Sequence, residues 1–105
     1  MTHFFHVDSD ELAPGANPYT EFLRVPAMSA GFYTLAQGAT DLQTPHGEDE
    51  LYYVLRGRAR MQIGSDQAEV RAGSIIFVEA GREHRFYDIQ ESLQLLVVFS
   101  PAERK

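Results

Sequence analysis

Apolar and polar residues alternate along most of this chain with a period of two, as in strands that turn one face to a core and the other to water. Ala59, Met61 and Ile63 alternate with Arg60 and Gln62, and beyond the turn-forming Gly64 to Asp66 the residues Ala68, Val70 and Ala72 again alternate with polar neighbours. This predicts an antiparallel hairpin whose wet face carries Arg60, Gln62, Glu69 and Arg71. Glu21 to Val25 and Gly31 to Ala36 are rich in aromatic and β-branched residues and predict a sequential strand pair separated by Pro26, Ser29 and Gly31. Phe4 to Val7 predicts an edge strand, and the Pro, Gly and Asn residues of Asp8 to Pro18 predict a loop around the outside. Ser74 to Val78 is an almost continuous apolar run, Glu79 to Glu83 is turn-rich, and His84, Phe86 and Asp88 are expected to share one strand face. In the last strand Leu93, Leu95, Val97 and Phe99 make one apolar face, and Leu96 and Val98 make the other apolar too. Such a strand needs cover on both sides, so the interior takes one face and a second sheet or second subunit the other. No stretch keeps a helical period, and the fold class is therefore all-β.

Composition narrows the chemistry. A chain of 105 residues forms one domain, residues 1–105, able to bury roughly 65% of its unfolded surface without covalent staples. There is no cysteine, so any metal must be held by His, Asp or Glu. A net charge of -6 argues against nucleic acid, whose binding rests on Lys and Arg neutralising phosphates. The longest uninterrupted apolar run, Leu95 to Phe99, is too short to span a bilayer, and the first residues lack the basic and apolar regions of a signal peptide. The expectation is a soluble, cytoplasmic protein with no nucleic-acid or membrane partner.

The chemistry concentrates in Gly38 to Gly57. Residues an even number apart on a strand face the same side, so Thr44 points with His46, and Glu50 with Tyr52 and Val54. A turn at Gly47 to Asp49 is expected to bring an imidazole and a carboxylate together from neighbouring strands, which makes half a metal site. His84 lies an even offset from Phe86 and is expected on the apolar side. His3 and His6 have no partner at ligand spacing. Gly57, Gly73 and Gly81 read as turn residues, and Asp88 as a structural hydrogen-bonding residue at a strand end.

Two spaced patterns resemble the cupin superfamily, small single-domain jelly-roll β-barrels of the cupin 2 conserved-barrel type. Gly38, Thr44, His46, Glu50 and Gly57 stand at the spacing of the family's first motif (38–57), with Thr44 where a first His is expected. Gly73, Gly81 and His84 stand at the spacing of the second (73–88), with Glu79 in place of a Pro and Asp88 in place of an Asn. The resemblance implies a metal held by three His and one Glu, of which this chain supplies His46, Glu50 and His84. A neutral hydroxyl is a poor ligand for a divalent ion, so Thr44 marks an open or water-filled position. The remaining 2-His-1-carboxylate set suits Fe and leaves room for Mn, Ni or Zn.

The function expected from this set is a metal-dependent oxygenase or isomerase acting on a small molecule in the barrel pocket, with Tyr52 as a candidate to orient a bound oxygen atom. The alternative is a small-ligand-binding or sensor protein without turnover, metal-free in one version. Hydrolysis by a nucleophile is not indicated, because there is no Cys and neither Ser74 nor Ser92 has a recognisable base. The apolar outer face of the last strand leads to the expectation of a homodimer.

Overall fold

The computed structural model describes residues 3–8, 18–41 and 44–104, and its regular elements are all strands. They are β1 (Tyr19–Val25), β2 (Met28–Leu35), β3 (Asp49–Ile63), β4 (Asp66–Arg71), β5 (Ile75–Val78) and β6 (His84–Ser100). All pairings are antiparallel, in the order β1-β2-β6-β3-β4, with β5 also on β3. The predicted β1–β2 pair and the β3–β4 hairpin are present.

Two long strands organise the molecule. β3 and β6 pair along nearly their whole lengths, and their register shifts between Val54 and Arg60. On one side of that irregularity β3 is flanked by β6 and β5, on the other by β6 and β4. The pair therefore folds over itself, and its two halves enclose the core. Tyr52 in the first half of β3 meets Phe86 in the first half of β6 edge-on, with ring centres 5.3 Å apart. Around them Val54, Met61, Val70, Ile76, Val78, Leu93, Leu95 and Val97 form one buried apolar cluster.

The bend has identifiable causes. Gly57 takes φ 103, and a Cβ there would fall 2.3 Å from the Ser92 carbonyl oxygen, so only glycine lets β3 cross β6 this closely. Asp88 takes φ 48, a left-handed conformation that Asn and Asp tolerate better than other side chains. This corrects three expectations. Gly57 is a mid-strand kink instead of a turn residue, Asp88 lies inside β6 instead of at a strand end, and it does not share the face of His84 and Phe86. His84 and Phe86 are buried, Asp88 is exposed, and the buried phase resumes at Ile89.

Two further expectations change. Phe4 to Val7 pairs with no strand; instead Phe5 packs on Phe22, ring centres 5.0 Å apart, and Phe22 stacks on Phe32 at 4.8 Å. The Asp8 to Pro18 loop lies outside the described residues except at its two ends. Among the described residues no helix is long and apolar enough to cross a membrane.

Candidate functional site

His46 reaches the site from irregular backbone, not from a strand beside β3, because Thr44 to His46 pair with no strand. Two contacts set that loop. Gly81 N–H donates to the His46 carbonyl at 2.7 Å, and Ala80 N–H donates to Asp49 Oδ1 at 2.9 Å. The first motif is thereby tied to the turn of the second, where Gly81 takes φ 79. Although Glu79 stands where the family pattern has Pro, the turn closes through Arg82 N–H on the Glu79 carbonyl at 3.1 Å.

Glu50 and Tyr52 come from β3 and His84 from the start of β6, all facing inward. Glu50 Oε1 lies 3.2 Å from His84 Nε2 and 3.9 Å from His46 Nε2. The Tyr52 hydroxyl is also 3.2 Å from His84 Nε2, and His84 Nδ1 is 2.9 Å from the Arg82 carbonyl, to which it donates. Side chains of Glu50 and His84 are each 1% exposed, while His46 is 24% exposed and lies edge-on to Phe99. Burial alone would lower the His84 pKa, but the Glu50 hydrogen bond, the Arg82 carbonyl and the charges of Glu50 and Asp41 together raise it above the ordinary imidazole value.

The cavity in front of these groups measures about 260 Å³ and is lined by Tyr19, Tyr33, Thr44, His46, Glu50, Tyr52, Val97, Phe99 and Glu103. Thr44 also borders a neighbouring cavity of about 240 Å³, between Asp41, Gln62, Glu83, His84 and Arg85. Of the five residues singled out in the sequence, Thr44, His46, Glu50 and Tyr52 line this cavity, and His84, in contact with Glu50 and Tyr52, lines the neighbouring one. Four others, Tyr19, Tyr33, Asp41 and Glu103, were not legible. Glu103 reaches the pocket from beyond β6; Tyr33 donates to Asp41 Oδ1 at 2.8 Å, and Asp41 Oδ2 accepts from Phe86 N–H at 2.9 Å. Burial, then Asp41, raises the Tyr33 pKa, and burial, then Glu103, raises that of Tyr19, so both phenols stay neutral donors.

The donors suit a divalent cation in kind, since they are imidazole nitrogens and a carboxylate. Glu50 Oε2 is buried and has no hydrogen-bond partner among the described residues, which is the condition a cation would relieve. The side chains do not stand in a ready metal-holding arrangement, however: among the described residues no group of three or more His, Cys, Asp or Glu is so placed. Glu50 and His84 are close, and His46, its ring centre 6.2 Å from that of His84, is the member that stands back.

A folded antiparallel sheet with a polar cluster at the mouth of its interior defines a jelly-roll barrel with a cavity beside that cluster. A family model for the cupin domain matches residues 31–99, and the chain belongs to the cupin family. It is 46% identical over 101 residues to the uncharacterized protein SCO3923 of Streptomyces coelicolor, covering 94% of this chain and 96% of that one. BH2720 from Bacillus halodurans superposes with a TM-score of 0.79 at 21% identity, covering 96% of this chain and 83% of the other. KdgF from Halomonas sp. superposes with a TM-score of 0.78 at 17% identity, covering 99% and 96%. At such identities the likeness is one of fold.

Proposed function

We propose that the pocket binds a divalent metal through His46, Glu50 and His84 and acts there on a small molecule, as an oxygenase or isomerase. The observation that carries the reading is the meeting of Glu50 Oε1 and His84 Nε2 at 3.2 Å. With the His84 Nδ1 proton given to the Arg82 carbonyl, a neutral ring presents a lone pair at Nε2, so two acceptors face each other in a buried place. The Tyr52 hydroxyl can donate to one of them, and Glu50 Oε2 still lacks a partner among the described residues. A cation satisfies all three atoms at once.

A divalent ion held there supplies Lewis acidity, and one-electron chemistry if it is iron. The chain's own residues do the rest. Tyr52 shares its hydroxyl with His84 and is placed to orient an oxygen of a bound molecule, Tyr19 and Tyr33 remain protonated donors on the pocket wall, and Val97 and Phe99 exclude water from it. At about 260 Å³ the cavity sits near the small end of ligand pockets, which start at about 300 Å³, so the substrate is small.

The test is metal content of untagged protein, measured by mass spectrometry beside His84→Ala and Thr44→His. Wild type is expected to carry a partial load, His84→Ala to fall to background, and Thr44→His to keep or raise the load by restoring a fourth ligand. Negligible metal in all three rejects the reading. Substantial metal in His84→Ala means the ligands are others.

A second reading is a metal-free cupin that binds a small ligand without turnover, with the His84 imidazolium as the cation beside Glu50. It is favoured by the raised His84 pKa and by the stand-back of His46. Ligand-induced stabilisation without metal or oxygen consumption would select it.

We propose also that the outer face of the sheet is covered by a second copy of the chain. Leu51 pairs with Phe77 and Val98, and Tyr53 with Ile75 and Leu96, so these side chains form one uncharged apolar surface across β5, β3 and β6. Phe5 covers its far end through Phe22 and Phe32, while Ile75 and Phe77 are 69% and 56% exposed. An uncharged face needs an uncharged occupant, and a two-fold copy presents one. Sedimentation at low micromolar concentration is expected to give the dimer mass, and Leu96→Glu the monomer mass; a monomeric wild type refutes it.

A further inference from the structure

Beyond β6 the chain turns back across the pocket mouth as a strap. Ala102 N–H donates to the Pro26 carbonyl at 3.4 Å, Glu103 N–H donates to the buried Ser29 Oγ at 2.8 Å, and Arg24 Nη2 donates to the Glu103 carbonyl at 2.7 Å. The backbone on both sides of the Glu103 Cα is therefore held by the β1–β2 hairpin, independently of the Glu103 side chain. Arg104 Nε then donates to the buried Glu48 Oε2 at 3.1 Å, beside the loop that carries His46. The Glu103 side chain lines the same cavity as His46 and Glu50.

His46 sits between two carboxylates. Glu103 Oε2 faces its Nδ1 at 3.6 Å, just beyond hydrogen-bond length, and Glu50 Oε1 lies 3.9 Å from its Nε2. A neutral imidazole has one proton to donate and one lone pair to offer, and what its outer nitrogen meets decides which nitrogen does which. His84 has the same layout, with Nδ1 on the Arg82 carbonyl and Nε2 towards Glu50. The two rings thus converge on one carboxylate oxygen, each with an acceptor behind it, hydrogen-bonded for His84 and facing at 3.6 Å for His46. For His84 that acceptor is local backbone; for His46 it is a side chain delivered by the strap.

We propose that Glu103 is a positioning residue for His46: its carboxylate holds the Nδ1 proton, so that Nε2 keeps its lone pair towards Glu50 and the pocket. Outer-shell carboxylates do this for metal-bound histidines in general. The inference deepens the metal reading and rests on it for its second readout only.

The first readout needs no metal. Long-range proton–nitrogen correlation spectra of the metal-free protein, labelled with ¹⁵N-histidine and held at pH 8, report the tautomer of each ring. His46 is expected mainly as the Nδ1–H form in wild type, to shift towards the Nε2–H form in Glu103→Ala, and to be largely restored in Glu103→Gln, whose amide oxygen still accepts. The His84 signals should stay in place in both variants and so report an intact fold. In the second readout, calorimetric titration with Zn²⁺, Glu103→Ala is expected to bind at least about 10-fold more weakly than wild type, with Glu103→Gln between them. An unchanged His46 tautomer in Glu103→Ala overturns the proposal even where Zn²⁺ binds wild type tightly. A tautomer shift with no Zn²⁺ uptake by wild type leaves Glu103 its positioning role and sinks the metal reading instead.

Discussion

The same strands build two opposite surfaces. Glu50 and Tyr52 of β3 point inward to His84, while Leu51 and Tyr53, one residue along, point outward beside Phe77 and Ile75. The inner surface is enclosed and carries a buried carboxylate, whereas the outer one is apolar and open to water. Each is costly alone. A buried carboxylate needs a cation or donors, and an exposed apolar face needs a cover. The pairing teaches that one alternating strand can line a pocket and build an apolar outer face at once, and that the two are separable by substitution because no side chain serves both.

The comparison is broken most severely from the inside. Below pH 6.5, where His84 is an imidazolium, His84→Ala leaves Glu50 buried without that cation, and metal-free protein is expected to lose about 3–5 kcal/mol in urea denaturation. Glu50→Leu combined with His84→Leu removes both charges, and should recover much of that loss while abolishing metal uptake. If the double variant is as unstable as His84→Ala, the pair is not the source of the cost.

On the outside, Ile75→Lys places a charge on an already exposed position. It is expected to split the dimer in sedimentation, while the monomer's own stability changes by no more than about 0.5 kcal/mol. A dimer that survives it would move the contact elsewhere.

Acidity sharpens the contrast, because it acts on the inner surface only. His84 binds its proton more tightly folded than unfolded, so below the ordinary imidazole value of 6.5 the Glu50–His84 pair contributes its full stability. That contribution is lost as pH rises through the elevated folded value. Metal-free wild type should therefore have a melting temperature that falls over this window, and Glu50→Gln should flatten the fall. A rise with pH would contradict the raised pKa.

A smaller effect is expected at the rim. Arg104→Ala removes the ion pair to Glu48, in which the Arg104 side chain is 74% exposed but that of Glu48 only 3%, and should cost about 1–2 kcal/mol in the same denaturation measurement, more than a surface pair and less than the loss of His84.

Much of this was legible in residue order alone. Aromatic and β-branched content marks β1 and β2, a continuous apolar run marks β5, and alternation marks the β3–β4 hairpin and the faces of β6 and identifies which of Glu50, Leu51, Tyr52 and Tyr53 share a face, because the period of a strand is two whatever it pairs with. The resemblance of two spaced patterns to the cupin motifs supplied the candidate site, with His46 and Glu50 from the first and His84 from the second. Alternation failed at Asp88, where a left-handed residue shifts the phase of β6, and at Gly57, where a bend reads as a turn. Local pattern carries no mark of a bulge whose cause is the partner strand. It also overvalued Phe4 to Val7, whose apolar residues meet Phe22 through ring packing and not through a ladder.

What only the tertiary structure decided is which distant groups complete the site. Glu103 is an acid near the end of the chain with nothing in its neighbours to single it out, and it reaches His46 because Ser29 and Arg24 hold its backbone against the β1–β2 hairpin. Asp41 likewise becomes a brace only when Tyr33 and Phe86 are brought to its two oxygens. Residue order sets the face on which a side chain emerges, a property of the local backbone. Which partners await it there depends on how the long β3–β6 pair folds over, a property of the whole chain.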